Sequence, residues 1–192
     1  DTQNRVWTAD SPGAGLGRVS VAGLAAAIAY NTAAPASLVI HAGAGDDQLV
    51  VDFSGGNAND PMPASGLTFN GREQILGDSM VLQGGTFGTV THAFANEHDG
   101  TVAISGAGVI RYTGLEPITD NLVVANRVFT FTSPVADGVL QTSPANPATH
   151  TRIDSAASEL VDFTTPSGSL AVNLANGANT FTVASLAENY LT

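Results

Sequence analysis

The chain has 192 residues, of which 43% are apolar and 12% charged, a balance that suits one well-buried core or a short stack of repeats and excludes a disordered, solvating chain. Its formal net charge is −11 and all six basic residues are arginines, which argues against partners that need a cationic patch, nucleic acid and anionic lipid above all. Without lysine or cysteine there is no Schiff base, isopeptide crosslink, disulfide, thiolate metal site or thiol nucleophile.

Taken in chain order, short β-branched or aromatic runs bounded by Gly, Asn, Asp or Pro recur throughout. They are Arg5–Thr8, Arg18–Val21, Ser37–Ile40, Gln48–Phe53, Met80–Gln83, Thr89–His92, Val102–Ser105, Val109–Tyr112, Leu122–Thr132 and Phe181–Val183. Many short strands with almost no helical periodicity predict an all-β protein. Three stretches are expected to take a helical turn or two: Val21–Ala29, Ser155–Leu160 and Leu186–Leu191. The longest apolar window, Val21–Tyr30, is too short to span a membrane, so no membrane insertion is expected. The chain opens at Asp1 without an initiator methionine, as a processed or excised piece would. The acidic, Gly/Ser/Thr/Asn-rich composition favours an extracellular, cell-surface location.

An internal repeat organises the chain. Asn4–Pro12 (NRVWTADSP) and Asn126–Pro134 (NRVFTFTSP) are identical at six of nine positions, 122 residues apart. Ile28–Thr32 answers Val161–Thr165 at an offset of 133, and Ser37–Asp52 answers Ser169–Ala184 at an offset of 132. In the last pair Leu38/Leu170, Ile40/Val172, Leu49/Phe181 and Val51/Val183 hold the same alternating positions. The additional residues of the second copy fall in an expected inserted loop between Pro134 and Arg152. The chain therefore reads as one domain, 1–192, in which 1–54 resembles 123–187 around a unique middle, 55–122. This arrangement predicts a right-handed parallel β-helix or related β-solenoid, with a β-sandwich as the alternative. The inward row would comprise Leu38, Ile40, Leu49, Val51, Phe53, Val128, Leu170, Val172, Phe181 and Val183.

The stretch His41–Ser54, HAGAGDDQLVVDFS, joins a glycine turn bearing Asp46 and Asp47 to an alternating strand. Ala42–Val50 resembles one degenerate unit of the calcium-binding nonapeptide of RTX-type (haemolysin-type) proteins, with Ala42 in place of the first glycine. The resemblance implies a metal site at Asp46 and Asp47, with calcium as the ion, since calcium takes hard oxygens from carboxylates and turn carbonyls. No second intact nonapeptide follows, and the later copy has Asn179 at the aspartate position. The other reading is a solvated turn whose side chains cap backbone amides. With Tyr112–Asp120, Val51–Asn57 and Gly84–Phe94, the chain is also similar to the tandem units of very large bacterial surface and exported repeat proteins. That likeness implies a structural or adhesive role and carries over no active site.

Candidate chemistry is sparse. The four histidines, His41, His92, His98 and His150, never pair at metal-ligand spacing, although His92 with Glu97, His98 and Asp99 is the densest group of ligand types. Asp46, Asp47, Asp52, Asp154 and Asp162, with Arg152, are the carboxylates from which a β-helix polysaccharide lyase or hydrolase would be built. Asp52 and Asp162 are expected to face outward. The function expected is therefore non-enzymatic: an extracellular structural protein whose subunits or neighbouring repeats associate head to tail into a filament or array. An adhesin-type module binding polysaccharide or calcium is the alternative.

Overall fold

Residues 3–33, 37–56, 60–72, 77–134 and 136–190 are described by the computed structural model. They form an all-β protein of two mixed sheets. The first sheet holds β1 (Val6–Gly13), β2 (Leu16–Val21), β3 (Ala27–Asn31), β5 (Gln48–Asp52), β7 (Asp78–Gln83), β11 (Leu115–Asp120), β13 (Gly138–Thr142), β14 (His150–Ser155), β15 (Ser158–Thr164) and β17 (Phe181–Val183). The second holds β4 (Leu38–His41), β6 (Leu67–Asn70), β8 (Thr86–Phe94), β9 (Gly100–Ile104), β10 (Gly108–Thr113), β12 (Val123–Phe131) and β16 (Ser169–Asn173). In space the first runs β17-β13-β14-β15-β11-β7-β5-β1-β2-β3 and the second β16-β12-β8-β9-β10-β6-β4.

Outside three antiparallel meanders (β1–β2–β3, β8–β9–β10 and β13–β14–β15), every step along the chain crosses from one sheet to the other. The other strand neighbours within each sheet are parallel. The meanders leave strand sense intact, because two antiparallel steps restore the original direction.

Register aligns core residues in rows. On the first sheet Trp7, Leu49, Met80, Ile118, Val161, Ile153, Leu140 and Val183 face one another in turn. On the second the row is Leu38, Leu67, Ile110, Val102, His92, Phe129 and Val172. Apart from His92, the buried members of both rows belong to one hydrophobic cluster, each large apolar side chain contributing roughly 1.5–3 kcal/mol by leaving water. Gly100 interrupts the neighbouring row because a Cβ there would lie 2.5 Å from the Tyr112 hydroxyl.

Several expectations are corrected. Val21–Ala29 is not helical: its end enters β3, pulled into the sheet by pairing with β2. Ser155–Leu160 is not helical either: Ser155 ends β14, Ala156 and Ala157 turn, and Ser158–Leu160 open β15. Of Leu186–Leu191 only Glu188–Tyr190 is helical, a single 3-10 turn; Leu191, like Asn57, lies outside the described residues. The expected inserted loop after Pro134 contains β13 and the start of β14. On β12 the inward residues are Arg127 and Phe129, both fully buried, so Val128 faces outward. The arginine is tolerated inside because it meets a buried aspartate.

Two repeat pairs occupy matching strands. β3 with β15, β4 with β16 and β5 with β17 lie in the same sheet as their counterparts. Asn4–Pro12 and Asn126–Pro134 do not match in this way, since the first contains β1 of the first sheet and the second contains most of β12 of the second.

Candidate functional site

The acidic turn lies at the corner where the chain enters β5. Gly43 and Gly45 have φ of 103° and 123°, a region closed to most L residues, and a Cβ on Gly45 would press on the Gln3 carbonyl at 3.0 Å. Leaving the sheet deprives corner amides of their ladder partners, and side chains replace them. Asp47 Oδ1 accepts the Arg5 N–H at 2.6 Å, and Asp78 Oδ1 accepts the Asp47 N–H at 2.6 Å. In the opposite direction Asn4 Oδ1 accepts the Asp46 N–H at 3.0 Å, and Asp46 Oδ1 the Gly77 N–H at 3.4 Å. The later copy uses the same device: Asn179 Oδ1 accepts the Ala136 N–H at 2.7 Å. Asp47 and Asn179 thus do the same work, which an amide oxygen performs as well as a carboxylate.

Asp47 and Asp78 are buried, and the Oδ2 of each has no hydrogen-bond partner among the described residues. Burial raises the Asp47 carboxyl against the pull of the Arg5 N–H. It also pushes Asp78 up to about 6, despite the hydrogen bond from Asp47. Among the described residues no group of three or more His, Asp or Glu side chains gathers closely enough to hold a metal ion. A calcium ion at Asp46 and Asp47 would therefore have to complete its shell of six to eight oxygens with backbone carbonyls and water.

A second polar group, not anticipated from the sequence, lies inside the core. His92, Asp120 and Arg127 are fully buried. His92 Nε2 lies 3.0 Å from Asp120 Oδ2, and Arg127 Nη1 donates to the same oxygen. The guanidinium also donates to the Thr164 carbonyl at 2.9 Å and the Leu122 carbonyl at 2.8 Å, while the Leu122 N–H reaches Asp120 Oδ1 at 3.0 Å. Phe129 stacks on His92 at 5.2 Å, and Phe163 lies 5.5 Å beneath the guanidinium. Burial works against the Asp120 charge, but Arg127, helped by His92, outweighs it and holds the carboxyl at about 2. For His92 burial dominates and lowers its pKa despite Asp120. With its members sealed from solvent, this network ties the two sheets together and leaves no side chain open to a substrate.

Glu159 is a further buried acid. It points inward from β15, and among the described residues neither its carboxylate oxygens nor the buried Tyr112 hydroxyl meets a side-chain hydrogen-bond partner. Burial, with the charge of Glu116 adding to it, pushes Glu159 up to about 9, so it is neutral at pH 7. An open groove of about 360 Å³ near one end of the strands is lined by Ala95, Asn96, Glu97, Ser133, Asp137, Ala156 and Ala157. Its acids sit on turns and Glu159 is closed off from solvent.

The remaining candidates disperse. His92 is separated from the Glu97–Asp99 turn by burial in β8, and His98 instead lies 3.5 Å from Glu97 and 3.7 Å from Glu116. Asp162 forms a two-point pair with Arg152 at 2.9 and 2.7 Å. Asp52 accepts from the Ser54 N–H and the Gln83 amide, and Asp154 is exposed on β14. The second sheet has a different character: among the described residues, no acidic side chain lies in its strands. Comparison with protein-family models, with curated proteins and with solved structures finds no match.

Proposed function

We propose that the chain is a non-enzymatic structural protein of the cell exterior, a β-solenoid unit that associates head to tail into a filament or surface array. Alternation between two sheets with parallel neighbours supports the solenoid over a β-sandwich, whose sheets would be antiparallel almost throughout. The meanders are then excursions that leave the winding direction unchanged.

The observation that carries the functional reading is exposure along core-facing rows of the first sheet. Leu49, Met80, Ile118, Val161 and Ile153 are 0% exposed and Leu140 is 4%, yet Val183 beyond them is 61% exposed. At the other end Val19 is 4% exposed and its neighbour Ile28 is 67%. Among the described residues, core-facing positions at both ends lack a covering layer, and apolar surface left in this way favours association. Sedimentation velocity over a hundredfold concentration range tests the reading. Growing oligomers are expected, and a monomer at every concentration contradicts it.

A polysaccharide-binding adhesin module is favoured by a different observation, the acid-free strands of the second sheet. Their outward residues include Thr89, Thr91, Thr101, Thr130 and Asn173, hydroxyls and amides suited to a neutral sugar surface. Retention on insoluble neutral polysaccharide, lost in T91R, is the outcome this reading expects. Calcium at Asp46 and Asp47 is a companion proposal resting on the orphaned oxygens of Asp47 and Asp78, and calorimetric titration with calcium tests it.

A further inference from the structure

We propose that the head-to-tail joint runs through the first sheet alone, with β17 of one copy pairing in parallel with β3 of the next. This rests on the end-to-end reading above and adds which surfaces meet.

Strand number is the first reason. The first sheet has ten strands and the second seven, so two copies cannot abut both sheets at once without leaving a gap of three strands in the second. Strand sense is the next. β1, β5, β7, β11 and β15 are mutually parallel; β3 is restored to their direction through β2, β13 through β14, and β17 is parallel to β13. Translation of one copy along the sheet therefore brings β17 beside β3 in the same sense as the interior pairs.

Side-chain alternation agrees. Val183 faces inward with Leu140, and Ile28 faces inward with Val19, so a register pairing Val183 with Ile28 or Tyr30 keeps the apolar row on one face. Neither edge bears the charge or proline that usually blocks such pairing, β3 reading AIAYN and β17 FTV. The edges of the second sheet are better covered: Ile40 on β4 is buried, and Leu170 and Val172 on β16 are half-buried. A joint of this kind is heterologous and does not close, so it propagates.

The test uses I28D and V183D, each placing a charge on one side of the joint, with V39D and A171D as controls on the outward face of the second sheet's edge strands. Circular dichroism and melting temperature establish that each variant is folded. I28T and V183T, which keep the β-branched shape, serve as second variants wherever an aspartate prevents folding. In sedimentation velocity I28D alone and V183D alone are expected to associate at least tenfold more weakly than the unmodified chain, while V39D and A171D assemble normally. An equimolar mixture of I28D and V183D is expected to stop at dimers, because each retains the surface the other has lost. Assembly of I28D and V183D at the unmodified level, loss in V39D or A171D instead, or a mixture no larger than its components overturns the first-sheet joint while leaving end-to-end association standing. An unmodified chain that never associates removes both.

Discussion

At residue scale, Asp47 and Asn179 carry the clearest lesson about the acidic turn. Each accepts a backbone N–H from the strand layer before it, at 2.6 and 2.7 Å, so geometry and not charge is what the position requires. D47N is expected to change stability by less than about 1 kcal/mol, whereas D47A, leaving the Arg5 N–H without its acceptor, should cost about 1–3 kcal/mol; urea unfolding measures both. The glycine turn and its strand are visible in the sequence, but the role of the carboxylates is not. Their partners lie 42 and 31 residues away, and only strand register brings them together. Glu159 was equally hidden, because an isolated glutamate in SELVDFT looks like a solvated turn residue. Its folded pKa of about 9 exceeds the ordinary glutamate value of 4.5, so its stabilising contribution is complete below pH 4.5 and is lost as pH rises through about 9. Holding it neutral at pH 7 costs about 3 kcal/mol. E159Q should therefore raise stability at pH 7 and flatten its pH dependence between 5 and 9, measured by denaturant titration across that range.

At the scale of elements, β12 shows where pattern reading stops. Alternation through NRVFTFT suits either face, and an arginine argues by composition for placing Val128 inside. The structure reverses this because Asp120 and two carbonyls receive the guanidinium. R127M would leave Asp120 buried without its cation, held only by His92 and the Leu122 N–H, a loss of about 3–5 kcal/mol. D120N combined with R127M should recover much of that, and a double-mutant cycle in urea gives the coupling. The strands that were legible, such as β5, β8 and β10, are rich in β-branched residues. β3 was missed because AIAYN follows an alanine-rich run, and β13 because GVLQT sits among prolines and turn residues. Both are held by neighbours, β2 for one and β14 and β17 for the other, and a local propensity cannot register a tertiary partner.

For the whole molecule, the buried acids set a pH window. Asp78, raised to about 6, contributes stability below pH 3.8 that is lost as pH rises through about 6, and Glu159 acts in the same direction at higher pH. Asp120, held at about 2, contributes stability above pH 3.8 that is lost as pH falls through about 2. These acids therefore place the peak of melting temperature at about pH 4, with a fall on both sides, a result calorimetric scans from pH 2 to 9 check directly. The all-β class was legible from alternation, and the correspondence of β4–β5 with β16–β17 from the likeness of Ser37–Asp52 to Ser169–Ala184. The meanders were not, since nothing local distinguishes a strand that doubles back from one that crosses to the other sheet. The same topology leaves inward residues bare at Ile28 and Val183, and the proposed function turns on what covers them. Electron microscopy of the concentrated, purified chain is the most direct measurement: linear chains whose axial repeat is the length of one unit are the predicted result, and dispersed single particles at every concentration would contradict the account.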